Sequence, residues 1–183
     1  VVVAAGNEGR NNSAGTGGYG LITAPGNDPY VITVGAVNTR GTSSRSDDIM
    51  ASYTSKGPTL FDQVAKPDLV APGNAIIAGR GYGNLDNWGF SDNIVPPSAY
   101  TSNWLASDAY FQMSGTSMAT PMVSGVAGVL IQKFPTLKPD QVKAILMKTA
   151  WKGFKSVDTA IDRATGRAYT TYADAFTVGA GMV

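Results

Sequence analysis

The chain opens on Val1-Val2-Val3-Ala4-Ala5, an unbroken apolar and largely β-branched run that stops at Gly6-Asn7-Glu8-Gly9. A run without polar alternation reads as a strand covered on both faces, and the glycines flanking Asn7 read as the tight turn that ends it. Tyr30-Val31-Ile32-Thr33-Val34-Gly35-Ala36-Val37 repeats the pattern and predicts a second buried strand. Pro67-Asp68-Leu69-Val70-Ala71-Pro72-Gly73 predicts a short strand bracketed by prolines, and Ala75 to Ala78 another. Strands buried on both sides point to parallel pairing. From Gly79 to Ala109 no period is visible, so 79–109 reads as an insertion within a single domain spanning 1–183.

The pattern then changes from strand to helix. Between Ser117 and Phe134, Met118, Ala119, Met122, Val123, Val126, Ala127, Val129 and Leu130 fall around the whole circumference, with Gly125 and Gly128 among them. Such a helix is expected to be central and buried, its glycines admitting neighbouring backbones, with Pro121 in its first turn. Pro139 to Thr149 places Val142, Ile145, Leu146 and Thr149 on one stripe behind a first-turn proline, an ordinary amphipathic helix. Lys138 stands where Ser or Thr would cap it, at a cost of about 1 kcal/mol.

Composition narrows the chemistry. With 43% hydrophobic and 15% charged residues, the 183-residue chain has the make-up of a compact fold. Its 14 basic and 13 acidic residues form no cationic run, which excludes a nucleic-acid partner. No stretch approaches the roughly 20 apolar residues of a membrane span, so no membrane partner is expected either, and Val1 to Ala5 is too short for a signal peptide. Without cysteine or histidine, disulfides and thiolate metal sites are excluded and catalytic zinc would have only carboxylates.

The segment that carries chemistry is Phe111-Gln112-Met113-Ser114-Gly115-Thr116-Ser117-Met118-Ala119-Thr120-Pro121, where a strand-like stretch passes through Gly-Thr-Ser directly into the long helix. A serine there lies among free N–H groups and the positive end of the helix dipole, which stabilise an alkoxide or an oxyanion. Read alone, Thr116 or Ser117 is equally well an N-cap, and Asn7 a turn asparagine.

Gly115 to Pro121 resembles the nucleophile motif of subtilisin-like serine proteases almost letter for letter. Ala4-Ala5-Gly6-Asn7-Glu8-Gly9 resembles the family's oxyanion segment. Pro25-Gly26 through Val37, Tyr53 to Pro58, Lys66 to Gly73, and Gly179-Ala180-Gly181-Met182-Val183 follow in the family's order over nearly the whole chain. The resemblance implies an α/β fold, a mostly parallel sheet with helices on both faces, incomplete because the N-terminal half is absent. It implies Ser117 as nucleophile and Asn7, with the Ser117 N–H, as oxyanion hole. It places Ala4, Gly6, Thr23, Ala24, Pro25 and Gly26 around an uncharged specificity pocket suited to apolar or aromatic side chains of a polypeptide substrate. No cofactor is required. A structural calcium held by the carbonyls of Gly26, Asp28 and Val31 is a candidate, and secretion is the family's usual destination.

The pattern breaks at the base. The family's histidine and aspartate precede the Gly-Asn segment, and this chain has no histidine. The expectation is truncation upstream of Val1, inactivity alone, a missing N-terminal half as partner, and self-association through exposed edges. Met122 stands where many members carry a non-catalytic histidine. Two other readings compete: a sedolisin-type enzyme, which Asn7 disfavours because that type carries Asp there, and a protease-derived binding or structural domain, which retention of Ser117 and Asn7 disfavours. A Ser-Lys dyad has no lysine near Ser117 in sequence. The insertion, with Tyr82, Trp88, Phe90, Tyr100 and Trp104, reads either as surface packing or as a border of the substrate cleft.

Overall fold

A computed structural model describes residues 1–11, 16–81, 89–103, 105–162 and 165–183. These form two compact units, Val1–Asn74 with Gly115–Val183, and Ala75–Ser114.

The larger unit is organised by one strand. Strand β4 (Ile32–Asn38) follows β1 (Val2–Ala4) and the short hairpin β2 (Arg10–Asn11) and β3 (Thr16–Gly17). It pairs in parallel with β1, Ala4 opposite Val34, and in parallel with β6 (Leu69–Pro72), Val34 opposite Leu69. The end of β4 pairs antiparallel with β5 (Ile49–Met50). Val34 meets both β1 and β6 while Val37 meets both β5 and β6, so β1 and β5 share one edge of β4 and β6 takes the other. Parallel strands are thus correctly read from the unbroken apolar runs, and β5 makes the sheet mixed.

Alternation along β4 divides the core. Ile32, Val34 and Ala36, with Leu69 and Ala71 of β6, face one cluster; Val37 and Val70 face another. The first cluster is covered by α1 (Thr116–Lys133) and α2 (Pro139–Thr149), through Ala119, Val123, Ala127, Val142 and Leu146. Leu69 is completely buried there, so Leu69→Ala costs about 2–5 kcal/mol. The second cluster is closed by Met50, Met182, Trp151, Phe154 and Val178, the last in the four-residue helix α3 (Ala175–Val178). The expectation of helices on both faces therefore meets two full helices on one face and mostly irregular chain on the other. The chain end is laid beside β6: Val70 donates to the Gly181 carbonyl and Val183 to that of Val70. Gly181 has φ +123°, and a Cβ there would run into the Trp151 carbonyl oxygen, so the closing glycine is demanded by backbone contact.

Two expectations about α1 need correction. Its buried stripe is only Thr116, Ala119, Val123 and Ala127, while Met122, Val126, Val129 and Ile131 are 40%, 42%, 65% and 46% exposed. A Cβ on Gly125 or Gly128 would meet nothing within 4 Å, so no backbone among the described residues uses the approach they allow. Pro121 lies in the second turn, because the helix begins at Thr116, and its missing N–H deprives the Ser117 carbonyl of its helical partner. On α2, the Lys138 N–H donates to Gln141 Oε1 at 2.8 Å; the ammonium has no lone pair to complete a capping box. The hairpin β10 (Val157–Ile161) and β11 (Ala168–Tyr172) is an element the apolar pattern does not announce: β10 buries no residue, and only Tyr169 and Thr171 of β11 are buried.

The smaller unit is a three-stranded antiparallel sheet in which β9 (Tyr110–Met113) lies between β7 (Ile76–Gly79) and β8 (Ile94–Val95). Two 3-10 turns, Ser91–Asn93 and Pro97–Ala99, and an edge-to-face Tyr100–Tyr110 pair at 4.9 Å organise it. The expected insertion at 79–109 falls inside this unit. Phe90 and Tyr100 are exposed, and Tyr82, Trp88 and Trp104 lie outside the described residues.

Candidate active site

The corner between β1 and α1 is built by backbone strapping. Gly6, at φ +107°, takes a conformation L side chains disfavour, and an added Cβ would lie 2.7 Å from Ser55 Oγ. The Ser55 N–H donates to the Gly6 carbonyl at 2.9 Å, Ser55 Oγ accepts from the Glu8 N–H at 3.0 Å, and the Gly9 N–H donates to the Tyr53 carbonyl at 2.8 Å. The turn bearing Asn7 is thereby fixed against the buried segment Thr54–Lys56.

Asn7 is oriented by Thr116. Its Oδ1 accepts from the Thr116 N–H at 2.9 Å and from the Thr116 hydroxyl at 3.0 Å, and that hydroxyl accepts from the Gly6 N–H at 3.2 Å. A backbone N–H only donates, so the carboxamide oxygen must face Thr116 and the amide nitrogen must face away. Gly115 is the N-cap, without a side-chain cap bond, so neither Thr116 nor Ser117 serves as one. Ser117 is the second residue of α1 and is exposed. Among the described residues its N–H has no acceptor, nor has Asn7 Nδ2. Both donors border one small space: a Cβ placed on Gly115 would lie 3.5 Å from Asn7 Nδ2, 3.6 Å from Met118 Sδ and 3.7 Å from the Ser117 nitrogen.

Below this space, the Gly73 carbonyl accepts from the Gly115 N–H at 2.8 Å and from the Tyr53 hydroxyl at 2.9 Å. A Cβ on Gly73 would lie 2.8 Å from the Gly115 carbonyl oxygen, which is why the chain is glycine there. Burial pushes the Tyr53 hydroxyl up to about 12, against the opposing pull of the Gly115 N–H and Arg10.

Of the expected pocket residues, the structure brings Ala4, Thr23 and Gly26 together. A Cβ on Gly26 would lie 3.0 Å from the Ala4 carbonyl oxygen and 3.2 Å from that of Thr23. Gly26 is buried, while Thr23, Ala24 and Pro25 are exposed in a turn closed by the Asn27 N–H on Thr23 and the Asp28 N–H on Pro25. None of these side chains is charged.

Two of the three carbonyls expected to hold calcium, those of Gly26 and Val31, have other partners. The Gly26 carbonyl accepts from the Thr33 hydroxyl at 2.7 Å, and that of Val31 accepts from Lys66 Nζ at 3.0 Å and Lys143 Nζ at 2.8 Å. Lys143 Nζ also donates to the Pro29 carbonyl at 3.0 Å and Asp68 Oδ1 at 2.9 Å. Lys66 Nζ meets Asp68 Oδ2 at 2.7 Å, which accepts the Thr33 N–H too. Burial pushes the Lys66 ammonium below its ordinary value and Lys143 adds to that, while Asp68 opposes both. A divalent cation beside two ammonium groups would be strongly repelled, so these residues do not fit a calcium ion. Among the described residues no cluster of three acidic side chains offers another site.

The profile of the subtilase family matches residues 1–179. The chain belongs to the subtilase family. The serine protease AprX of Bacillus subtilis (strain 168) is 41% identical over 146 residues, 80% of this chain and 29% of that protein. The subtilisin-like protease SBT1.7 of Arabidopsis thaliana is 34% identical over 140 residues, 74% of this chain and 16% of that protein. Among solved structures, fervidolysin of Fervidobacterium pennivorans, described as a keratinolytic enzyme related to subtilisin, aligns over 99% of this chain and 21% of its own at 27% identity and a TM-score of 0.60. Sphericase aligns over 81% and 39% at 27% identity and a TM-score of 0.55. The subtilase chain thus spans less than a third of the curated relatives just named. Sequence reasoning misses three things in it: Thr116 as the group that aims Asn7, Tyr53 as a support of Gly73, and the Lys66–Asp68–Lys143 cluster. Thr116 is legible as part of the motif; the other two depend on contacts between distant segments.

Proposed function

We propose that this chain carries the nucleophile and the oxyanion hole of a serine endopeptidase, and that its base comes from polypeptide outside it. The observation that carries the reading is that Asn7 Nδ2 and the Ser117 nitrogen, neither with an acceptor among the described residues, both border the space over Gly115. In this reading Ser117 Oγ attacks the scissile carbonyl carbon of a polypeptide and its proton passes to the external base, a histidine by family analogy. The carbonyl oxygen becomes the oxyanion and accepts from both donors. Collapse breaks the C–N bond, the amine leaves with the proton, and water then cleaves the acyl ester on Ser117. Ala4, Gly6, Thr23, Ala24, Pro25 and Gly26 border the pocket for the residue preceding the cleaved bond, and its lack of charge favours an apolar or aromatic side chain.

The same reading accounts for α1. Exposed Met122, Val126 and Val129 with unused Gly125 form the face that the rest of a subtilase catalytic domain, including the histidine and aspartate, would cover. Alone, the chain is inactive and self-associates through this face and the β1 edge. Secretion belongs to this reading by family analogy only.

The test joins the chain to a subtilase N-terminal portion bearing the histidine and aspartate and assays peptide cleavage. Cleavage after apolar or aromatic residues, lost in Ser117→Ala, is expected. A folded, joined protein that cleaves nothing would sink the proposal in favour of a binding or structural role.

A further inference from the structure

We propose that Lys143 supplies a built-in cation for this fold: its ammonium, with that of Lys66, holds the loop from Gly26 to Val31 where the family resemblance suggests calcium. An ammonium has three N–H donors, and Lys143 Nζ has three oxygen acceptors within hydrogen-bonding distance: the Pro29 carbonyl at 3.0 Å, the Val31 carbonyl at 2.8 Å and Asp68 Oδ1 at 2.9 Å. Distances near 2.9 Å suit N–H···O bonds, whereas calcium draws six to eight oxygens to about 2.3–2.6 Å.

The acceptors are saturated as well. Asp68 Oδ1 takes Lys143, Asp68 Oδ2 takes Lys66 and the Thr33 N–H, and the Val31 carbonyl takes both lysines. Lys66 is wholly buried and Asp68 nearly so, which makes this a constructed interior site. It ties together the loop before β4, the start of β6 and half-buried Lys143 of α2. A buried charge persists only when it is paired and hydrogen-bonded, and here Asp68 is matched without a metal by two ammonium groups, Lys143 with three acceptors and Lys66 with two. Because the loop it fixes also contains Gly26, the clamp positions one wall of the proposed pocket. The clamp itself does not depend on the catalytic reading.

The experiment uses two readouts on the 183-residue chain, neither requiring activity. Amide resonances of residues 26–33 should not move on adding millimolar calcium or a chelator, concentrations that would fill or empty an extracellular-grade calcium site. Lys143→Met, which keeps the aliphatic stem, should lower the thermal midpoint by about 3 °C or more, while Lys148→Met on the same helix should leave it unchanged. Calcium-dependent shifts of those amides in the unsubstituted chain, or a Lys143→Met midpoint equal to that of Lys148→Met, would overturn the proposal. Should Lys143→Met fail to fold, the amide readout still decides.

Discussion

The two ends of one helix differ in kind. At its N-terminus, α1 is locked to the β1 turn by the Asn7, Thr116 and Gly6 hydrogen bonds and to Gly73 through Gly115, and the Ser117 nitrogen borders the space over Gly115. Further along, Met122, Val126, Val129 and Ile131 stand in solvent on a helix whose Gly125 and Gly128 are approached by nothing among the described residues. The lesson is that the start of the helix is fixed locally, by a turn of this same chain, whereas its apolar side chains further along find no cover among the described residues.

The sharpest way to break this contrast is to fill the space over Gly115. Gly115→Ala places a methyl 3.5 Å from Asn7 Nδ2 and 3.7 Å from the Ser117 nitrogen, ordinary contact distances, so the fold should survive. The joined enzyme should nonetheless lose on the order of 100-fold or more in kcat, because an oxyanion can no longer enter. The scale is set by subtilisin itself, a member of the same family, in which loss of the side-chain donor alone costs about 100 to 1,000-fold. An unchanged kcat would show that the space is not the oxyanion site.

Next in size is the Tyr53 support. Its folded pKa of about 12 lies above the ordinary 10.0, so its contribution is fully present below pH 10 and lost as pH rises from 10 to 12. A rise of that size corresponds to unfolding free energy on the order of 3 kcal/mol. Lys56 and Lys66, whose pKa values burial lowers, act oppositely and gain stability as pH rises toward 10.5. The difference between the chain and Tyr53→Phe, followed by denaturant unfolding across that window, isolates the tyrosine; a flat difference would contradict the assignment.

Thr116→Val keeps the shape and the N–H but removes the hydroxyl that joins Gly6 to Asn7. It should cost about 1–2 kcal/mol of stability and roughly tenfold in kcat with KM little changed, measured by unfolding and by steady-state cleavage. Smallest is the uncovered face: Val129→Lys should change monomer stability by less than about 0.5 kcal/mol while reducing self-association in sedimentation. Equal association in both proteins would mean that this face is not sticky.

Much of this is legible in the sequence, for identifiable reasons. Strand β4 can be read from an unbroken apolar run because it is covered on both faces, and α2 to the residue because its stripe and its proline both mark it. The meeting of the Asn7 turn with the start of the helix that bears Ser117 is legible because the motif is long. All-round burial of α1, the expectation from its composition, fails because composition reports what a helix is suited to touch and not what is present. Hairpin β10–β11 escapes because only Tyr169 and Thr171 are buried in it. The lysine clamp escapes because Asp68 and Lys143 meet only through folding, and a backbone carbonyl leaves no mark in sequence.

The central claim is that Ser117 is a nucleophile whose oxyanion hole is already formed and whose base lies outside the chain. Fluorophosphonate labelling read by intact mass tests it most directly, comparing the isolated chain, the joined enzyme, and the joined enzyme with Ser117→Ala. The account predicts a single adduct on Ser117 in the joined enzyme and none in the other two. Labelling of the isolated chain at a comparable rate, or none at Ser117 in a folded joined enzyme, would contradict it.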